Sequence, residues 1–157
     1  MLAFDFNYWW WAVRADGALV RYDYTNEGAI LEEIPGDYRK VAAWNETVCG
    51  LSAEGRIDCY GEGCTYGMCD APMELGWVDV TMGWLHGCAL HADGRVACWG
   101  PGEMDAEALE DATICGQNTP PDERFVTIDA SYLFTCGVRT DGYAMCWGNP
   151  ASSTPPP

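Results

Sequence analysis

The chain reads as an all-β protein assembled from repeated units of about 40 residues, and three observations carry that reading. One phrase is written four times: "WAVRADGALVRYD" from Trp11, "CGLSAEGRIDCYG" from Cys49, "CALHADGRVACWG" from Cys88 and "CGVRTDGYAMCWG" from Cys136. An acidic residue followed by glycine stands near the middle of each copy, at Asp16-Gly17, Glu54-Gly55, Asp93-Gly94 and Asp141-Gly142. The flanking segments are short, rich in Val, aromatic and Cys residues, and show no helical period. Repetition at this spacing fits a solenoid, a propeller or an array.

Each unit holds the same elements in the same order. A β-type segment comes first ("VAAW" from Val41, "VDVTMG" from Val78, "FVTIDA" from Phe125), then a tip of two or three residues, then a hairpin. The four repeats run over about 1–37, 38–75, 76–123 and 124–148, and together form one domain, 1–148. In the first unit, "FDFNYWWW" puts Phe4, Phe6, Tyr8 and Trp10 on one strand face and Asp5, Asn7, Trp9 and Trp11 on the other, so a strand buried on both sides is expected. Between the third and fourth units "PGEMDAEALEDAT" (101–113) has the composition of two or three helical turns. The end, 149–157, is a Pro/Ser-rich tail or linker.

The turn sets the register. Glycine after an acidic residue suits a three-residue hairpin loop, a type I turn whose third position takes φ > 0. Counting outward from Ala92-Asp93-Gly94 sets His91 opposite Arg95 and Cys88 opposite Cys98; the same count sets Cys49 opposite Cys59 and Cys136 opposite Cys146. Three cross-strand disulfides are predicted, since a gap of nine residues matches no usual zinc spacing. In the first copy Trp11 and Arg21 take the two cysteine positions, where a cation can lie on the indole face. Of the remaining three, Cys64 and Cys69 either close on each other and leave Cys115 unpaired, or one of them reaches Cys115. Cysteine usage this regular predicts an oxidising location: extracellular, cell surface or periplasmic.

The residue pattern resembles a known repeat. "VTMGWLHGCALHADGRVACWG" (80–100) is similar to the repeat of the regulator-of-chromosome-condensation family, in a cysteine-bearing form like that of bacterial exported proteins. The resemblance covers roughly residues 1–24, 39–61, 77–100 and 125–148. It implies a β-propeller, normally of about seven blades, so four repeats imply a partial propeller or one completed by oligomerisation. Blades stack apolar faces on their neighbours, and an open end has to be covered.

Charge and composition exclude several functions. Asp and Glu number 24 against 8 Lys and Arg, giving a net charge of -16, which repels nucleic acid and anionic lipid. No apolar run is long enough for a helical membrane span, and the aromatic, acidic start is unlike a signal peptide. Phosphate-loop, nucleophile-elbow and zinc signatures are missing, as is the ligand spacing of an EF-hand, so no cofactor or metal is expected and the chain is read as no enzyme. Of the two histidines, His91 flanks a turn and is expected to be exposed, and His86 is assigned a structural bond to nearby backbone, as the family resemblance implies. Trp99, Trp147 and Tyr60 are assigned to the core. The tips before the hairpins are left over: Phe6-Asn7-Tyr8, Trp44-Asn45-Glu46, Gly83-Trp84-Leu85 and Ser131-Tyr132-Leu133. In a propeller they gather at one end, and Tyr8, Trp44, Asn45, Trp84 and Tyr132 are therefore the candidate binding residues for a protein or a glycan, with packing between blades the alternative role for Trp44 and Trp84. The alternative is a structural subunit that self-assembles as a homo-oligomer through open blade edges into a ring, fibre or surface layer.

Overall fold

A computed structural model describes residues 2–4, 9–23, 28–44, 46–101 and 116–148. Thirteen strands are described. β1 (Leu2–Phe4), β2 (Trp9–Val13), β3 (Leu19–Asp23) and β4 (Ala29–Ile34) form the first antiparallel sheet. β5 (Tyr38–Trp44), β6 (Thr47–Ser52) and β7 (Ile57–Tyr60) form the second, and β8 (Trp77–Gly83), β9 (His86–His91) and β10 (Val96–Trp99) the third. β11 (Phe125–Ala130), β12 (Phe134–Arg139) and β13 (Ala144–Gly148) form the fourth. These are four propeller-type blades, each an up-and-down meander.

The turns adopt the expected geometry. Gly17, Gly55, Gly94 and Gly142 have φ of 85–90°, and in the third blade the His91 N–H donates to the Arg95 carbonyl at 2.9 Å while the Gly94 N–H donates to the His91 carbonyl at 2.9 Å. That closure pairs Cys88 with Cys98, Cys49 with Cys59 and Cys136 with Cys146. Each pair is disulfide-bonded, with Cα atoms 4.0–4.1 Å apart. Cys64 and Cys69 form a fourth bridge, and Cys115 lies outside the described residues. In the first blade Trp11 stands opposite Arg21.

Stacking between blades repeats one interface three times. Cys49, Leu51 and Ile57 meet Trp77, Val80, Met82 and Trp99 of the next blade. Cys88, Leu90 and Val96 likewise meet Phe125, Ile128 and Trp147, and Trp11, Leu19 and Val13 meet Tyr38, Val41 and Val48. The same backbone bond locks every joint: the carbonyl of Gly17, Gly55 or Gly94 accepts from the N–H of Tyr38, Trp77 or Phe125 at 2.9, 3.2 and 2.7 Å. The turn glycine thus serves twice, because a side chain at Gly55 would lie 2.8 Å from the Trp77 nitrogen.

Three expectations need correction. "FDFNYWWW" is not one strand: β1 and β2 are separate and antiparallel, with Phe4 opposite Trp10. The alternation of faces cannot continue through a reversal of direction, and Trp10 is 38% exposed while Trp11 is buried. The first blade has a fourth strand, β4, which pairs with β3; its "AILEEI" lacks apolar alternation and is mostly exposed, although Gly28 before it and Pro35-Gly36 after it punctuate the chain. His91 is half-buried, lying edge-on to Trp77 at 5.3 Å. The helical expectation for 101–113 falls outside the described residues except at Pro101.

Candidate binding site at the blade tips

The strands deliver the tips to one end because every first strand runs toward it and every second strand leaves it. Trp44 is the last residue of β5, paired with Thr47, and Gly83 closes β8 against His86, so Trp84 and Leu85 form the third tip. In the fourth blade the Ser131 N–H donates to the Phe134 carbonyl at 2.9 Å, which holds Tyr132 at the apex. Tyr8 and Asn45 lie outside the described residues.

Three of the five candidate residues come together. Trp84 stacks on Tyr132 with ring centroids 4.5 Å apart and planes 6° from parallel. Trp44, from the second blade, tilts against the same tyrosine at 6.4 Å. The second and fourth blades do not adjoin in the stack, so contact between their tips means that the tips converge as blades about an axis do. Backbone fixes the arrangement: the Trp84 N–H donates to the Tyr132 carbonyl at 2.9 Å, and the Ala130 N–H donates to the Thr81 hydroxyl, which donates to Asp129. Gly83 permits the approach, since a side chain there would sit 2.3 Å from the Ser131 carbonyl. Tyr132 is 49% exposed, and Trp44 and Trp84 are half-buried. The result is a contiguous aromatic surface at low conformational cost.

The glycine of each Trp-Gly or Tyr-Gly pair supports the tip from below. Gly100 has φ of 122° and passes against the third tip, where a Cβ would be 2.5 Å from the Leu85 carbonyl. Gly61 and Gly148 stand in the same relation to Glu46 and Leu133. The sequence shows these glycines plainly, but their contact with the tip emerges only in the fold. Trp99 and Trp147 are buried and Tyr60 partly so; Trp99 donates its indole N–H to the Met68 carbonyl at 2.9 Å, and Tyr60 bonds the Tyr38 hydroxyl at 2.6 Å.

His86 lies beneath the tips with no exposed surface. Its Nε2 bonds the Thr135 hydroxyl of the next blade at 2.7 Å, so its partner is a side chain across the joint rather than nearby backbone. Burial pushes its pKa down to about 4. The unfolded chain, with an ordinary histidine, takes up a proton that the folded one refuses. This contribution to stability is therefore intact above about pH 6.5 and is lost as the pH falls toward 4. In His86→Gln the melting temperature is expected to vary less across pH 6.5 to 4 than in the parent chain, which thermal scans at stepped pH would read.

Among the described residues no group of three or more His, Cys, Asp or Glu is placed to hold a metal ion, and no helix is long and apolar enough to cross a membrane. The four disulfides are of the kind an oxidising compartment maintains.

The regulator of chromosome condensation (RCC1) repeat matches residues 77–101 and 125–152. Among solved structures the chain is similar to the CRINKLY WD40 ectodomain of the Arabidopsis thaliana receptor kinase ACR4, with 24% identity and a TM-score of 0.68 over 94% of this chain and 49% of that one. It is similar also to Prp20p of Saccharomyces cerevisiae, with 15% identity and a TM-score of 0.63 over 90% of this chain and 42% of that one. The computationally designed Ika4 protein gives 14% identity and a TM-score of 0.59 over 94% of this chain and 88% of the design. The chain thus spans about half the length of the two natural proteins. No curated protein matches it in sequence.

Proposed function

We propose that this chain, a β-propeller of RCC1-type repeats, is a non-enzymatic extracellular binding module that recognises a protein or a glycan through its blade tips. The observation that carries the reading is the ring cluster of Trp44, Trp84 and Tyr132, in which three successive blades each contribute one residue to a single exposed surface. Structural demand accounts for the turn glycines, the disulfides and the buried tryptophans. It leaves unexplained why aromatic rings stack at an end that faces solvent. Extracellular residence is supported by the four disulfides and by similarity to a receptor ectodomain. A protein ligand is supported by the similar yeast propeller, which is seen with Kap60 bound to it. Immobilised chain should capture a partner from cell-surface extract or from a glycan array, and Trp84→Ala with Tyr132→Ala should weaken that capture at least tenfold, in line with loss of aromatic anchors. Equal capture by parent and variant would reject the tip surface.

A second reading, self-assembly through blade faces, is favoured by the fourth blade. Its Cys136, Val138 and Ala144 correspond to Cys88, Leu90 and Val96 of the third blade, which the fourth blade covers with Phe125 and Trp147, yet here they line an open groove of about 200 Å³ with Thr127 and Ile128. A Cβ at Gly142 would meet nothing within 4 Å, whereas one at Gly17, Gly55 or Gly94 would meet the residues that lead into the next blade. A second copy laying its first blade on this face would continue the stack. Sedimentation across a concentration series should then show an oligomer that Val138→Glu dissolves; a concentration-independent monomer would reject this reading.

A further inference from the structure

We infer that the tip surface takes a cationic group, an arginine or lysine side chain presented by a basic protein segment. The inference rests on the binding role given above to the aromatic tips and goes beyond it by naming the chemistry of the ligand.

The chain segregates its charge along the strands. All eight lysines and arginines of the sequence fall within described residues, and none stands at the tip end. Arg14, Arg56, Arg95 and Arg139 each close an acidic-Gly turn through backbone bonds. Arg124 packs on Gly94, and Arg39 donates to the carbonyls of Ser52 and Trp77, so both belong to the turn end as well. Lys40 pairs with Asp79 inside the second joint, and Arg21 pairs with Glu32 halfway along its strand.

These cations neutralise carboxylates where they sit. Arg14 holds Asp16 and Glu33, Arg56 holds Asp58, Arg95 holds Asp93 and Glu74, and Arg139 holds Asp141 and Glu123. No lysine or arginine does the same at the tip end. Glu46 is exposed within the second tip, and Glu62 is exposed beside Gly61, whose position abuts the Glu46 carbonyl.

An aromatic ring carries negative charge on its face, so a cation is drawn to it, and most strongly where a wider negative field has no local cation to cancel it. The exposed ring of Tyr132 and the tilted ring of Trp44 supply the faces, and the charge segregation supplies the field. A neutral sugar would gain from the rings and nothing from the segregation. An anion would be repelled.

The test uses the full chain and three probes: a capped octa-arginine peptide, its neutral isostere octa-citrulline, and chitohexaose. Binding is read from the indole N–H resonances of Trp44 and Trp84. Octa-arginine should move both signals, and octa-citrulline should bind at least tenfold more weakly. Tyr132→Ala should weaken octa-arginine about tenfold, between the exposed and the desolvated values of a cation–π contact. Glu46→Lys, which alters an exposed side chain only, should weaken it severalfold with the melting temperature unchanged, and added salt should weaken it further. Equal binding of the two peptides, or octa-arginine binding that Tyr132→Ala leaves intact, would overturn the inference. Movement of the indole signals by chitohexaose or octa-citrulline and not by octa-arginine would also overturn it while leaving the tips a binding surface. Silence of both indoles with every probe overturns it too, and the tip reading then stands or falls on the capture experiment.

Discussion

Replacing Cys88 and Cys98 together by alanine is expected to cost about 4 kcal/mol, whereas the same exchange at Cys136 and Cys146 is expected to cost about 3 kcal/mol. Both exchanges open a hairpin loop of the same length, so the entropy released to the unfolded chain is equal at about 3 kcal/mol. They differ in what surrounds the sulfur. Cys88 is fully buried against Phe125, Ile128 and Trp147, so its loss also leaves a void in the third joint. Cys136 lines the open groove of the fourth blade, where its loss forfeits little packing. For a chain of this size the first pair should lower the melting temperature by roughly 12 °C and the second by somewhat less. Calorimetry of the two double variants decides the matter, and a larger loss at Cys136 and Cys146 would mean that the fourth face is not the open one.

The second large effect is expected at Gly100. Gly100→Ala places a Cβ 2.5 Å from the Leu85 carbonyl and 3.0 Å from the His86 Cα, at a φ of 122° that side chains rarely adopt. Backbone cannot yield there as a flexible side chain could, and a loss of about 3 kcal/mol follows. The displaced element is the third tip, so the Trp84 ring should leave Tyr132 and binding at the tip should fall with stability. Gly142→Ala is the control: its φ of 90° carries the same kind of backbone penalty, but nothing lies within 4 Å, and about 1 kcal/mol is expected with the tips undisturbed. Denaturant titration separates the two; equal costs would remove the glycine's role in supporting the tip.

What the sequence discloses about this fold is what local chemistry determines. A glycine after an acidic residue specifies the turn, the turn specifies the register, and the register brings Cys88 to Cys98 without reference to anything distant. The tips were legible as positions for the same reason. Their convergence was legible only through the family resemblance, because the stacking of Trp84 on Tyr132 joins residues 48 apart in the chain by a backbone bond between blades. Other features stayed hidden for reasons of the same kind. His86 found its partner in Thr135 of another sheet, the carbonyls of the turn glycines were satisfied by the next blade, and the reversal between Phe4 and Trp10 replaced an alternation that looked continuous. The segregation of charge was likewise invisible in composition: a net charge of -16 says nothing of which end holds the cations.

The claim on which the account turns is that three blades present their tips as one aromatic surface, and nuclear Overhauser spectra of the oxidised chain test it most directly. Cross-peaks between the Trp84 and Tyr132 rings, with weaker ones between Trp44 and Tyr132, are the predicted result. Ring protons of Trp84 and Tyr132 that show contacts within their own hairpins and none with each other would contradict it.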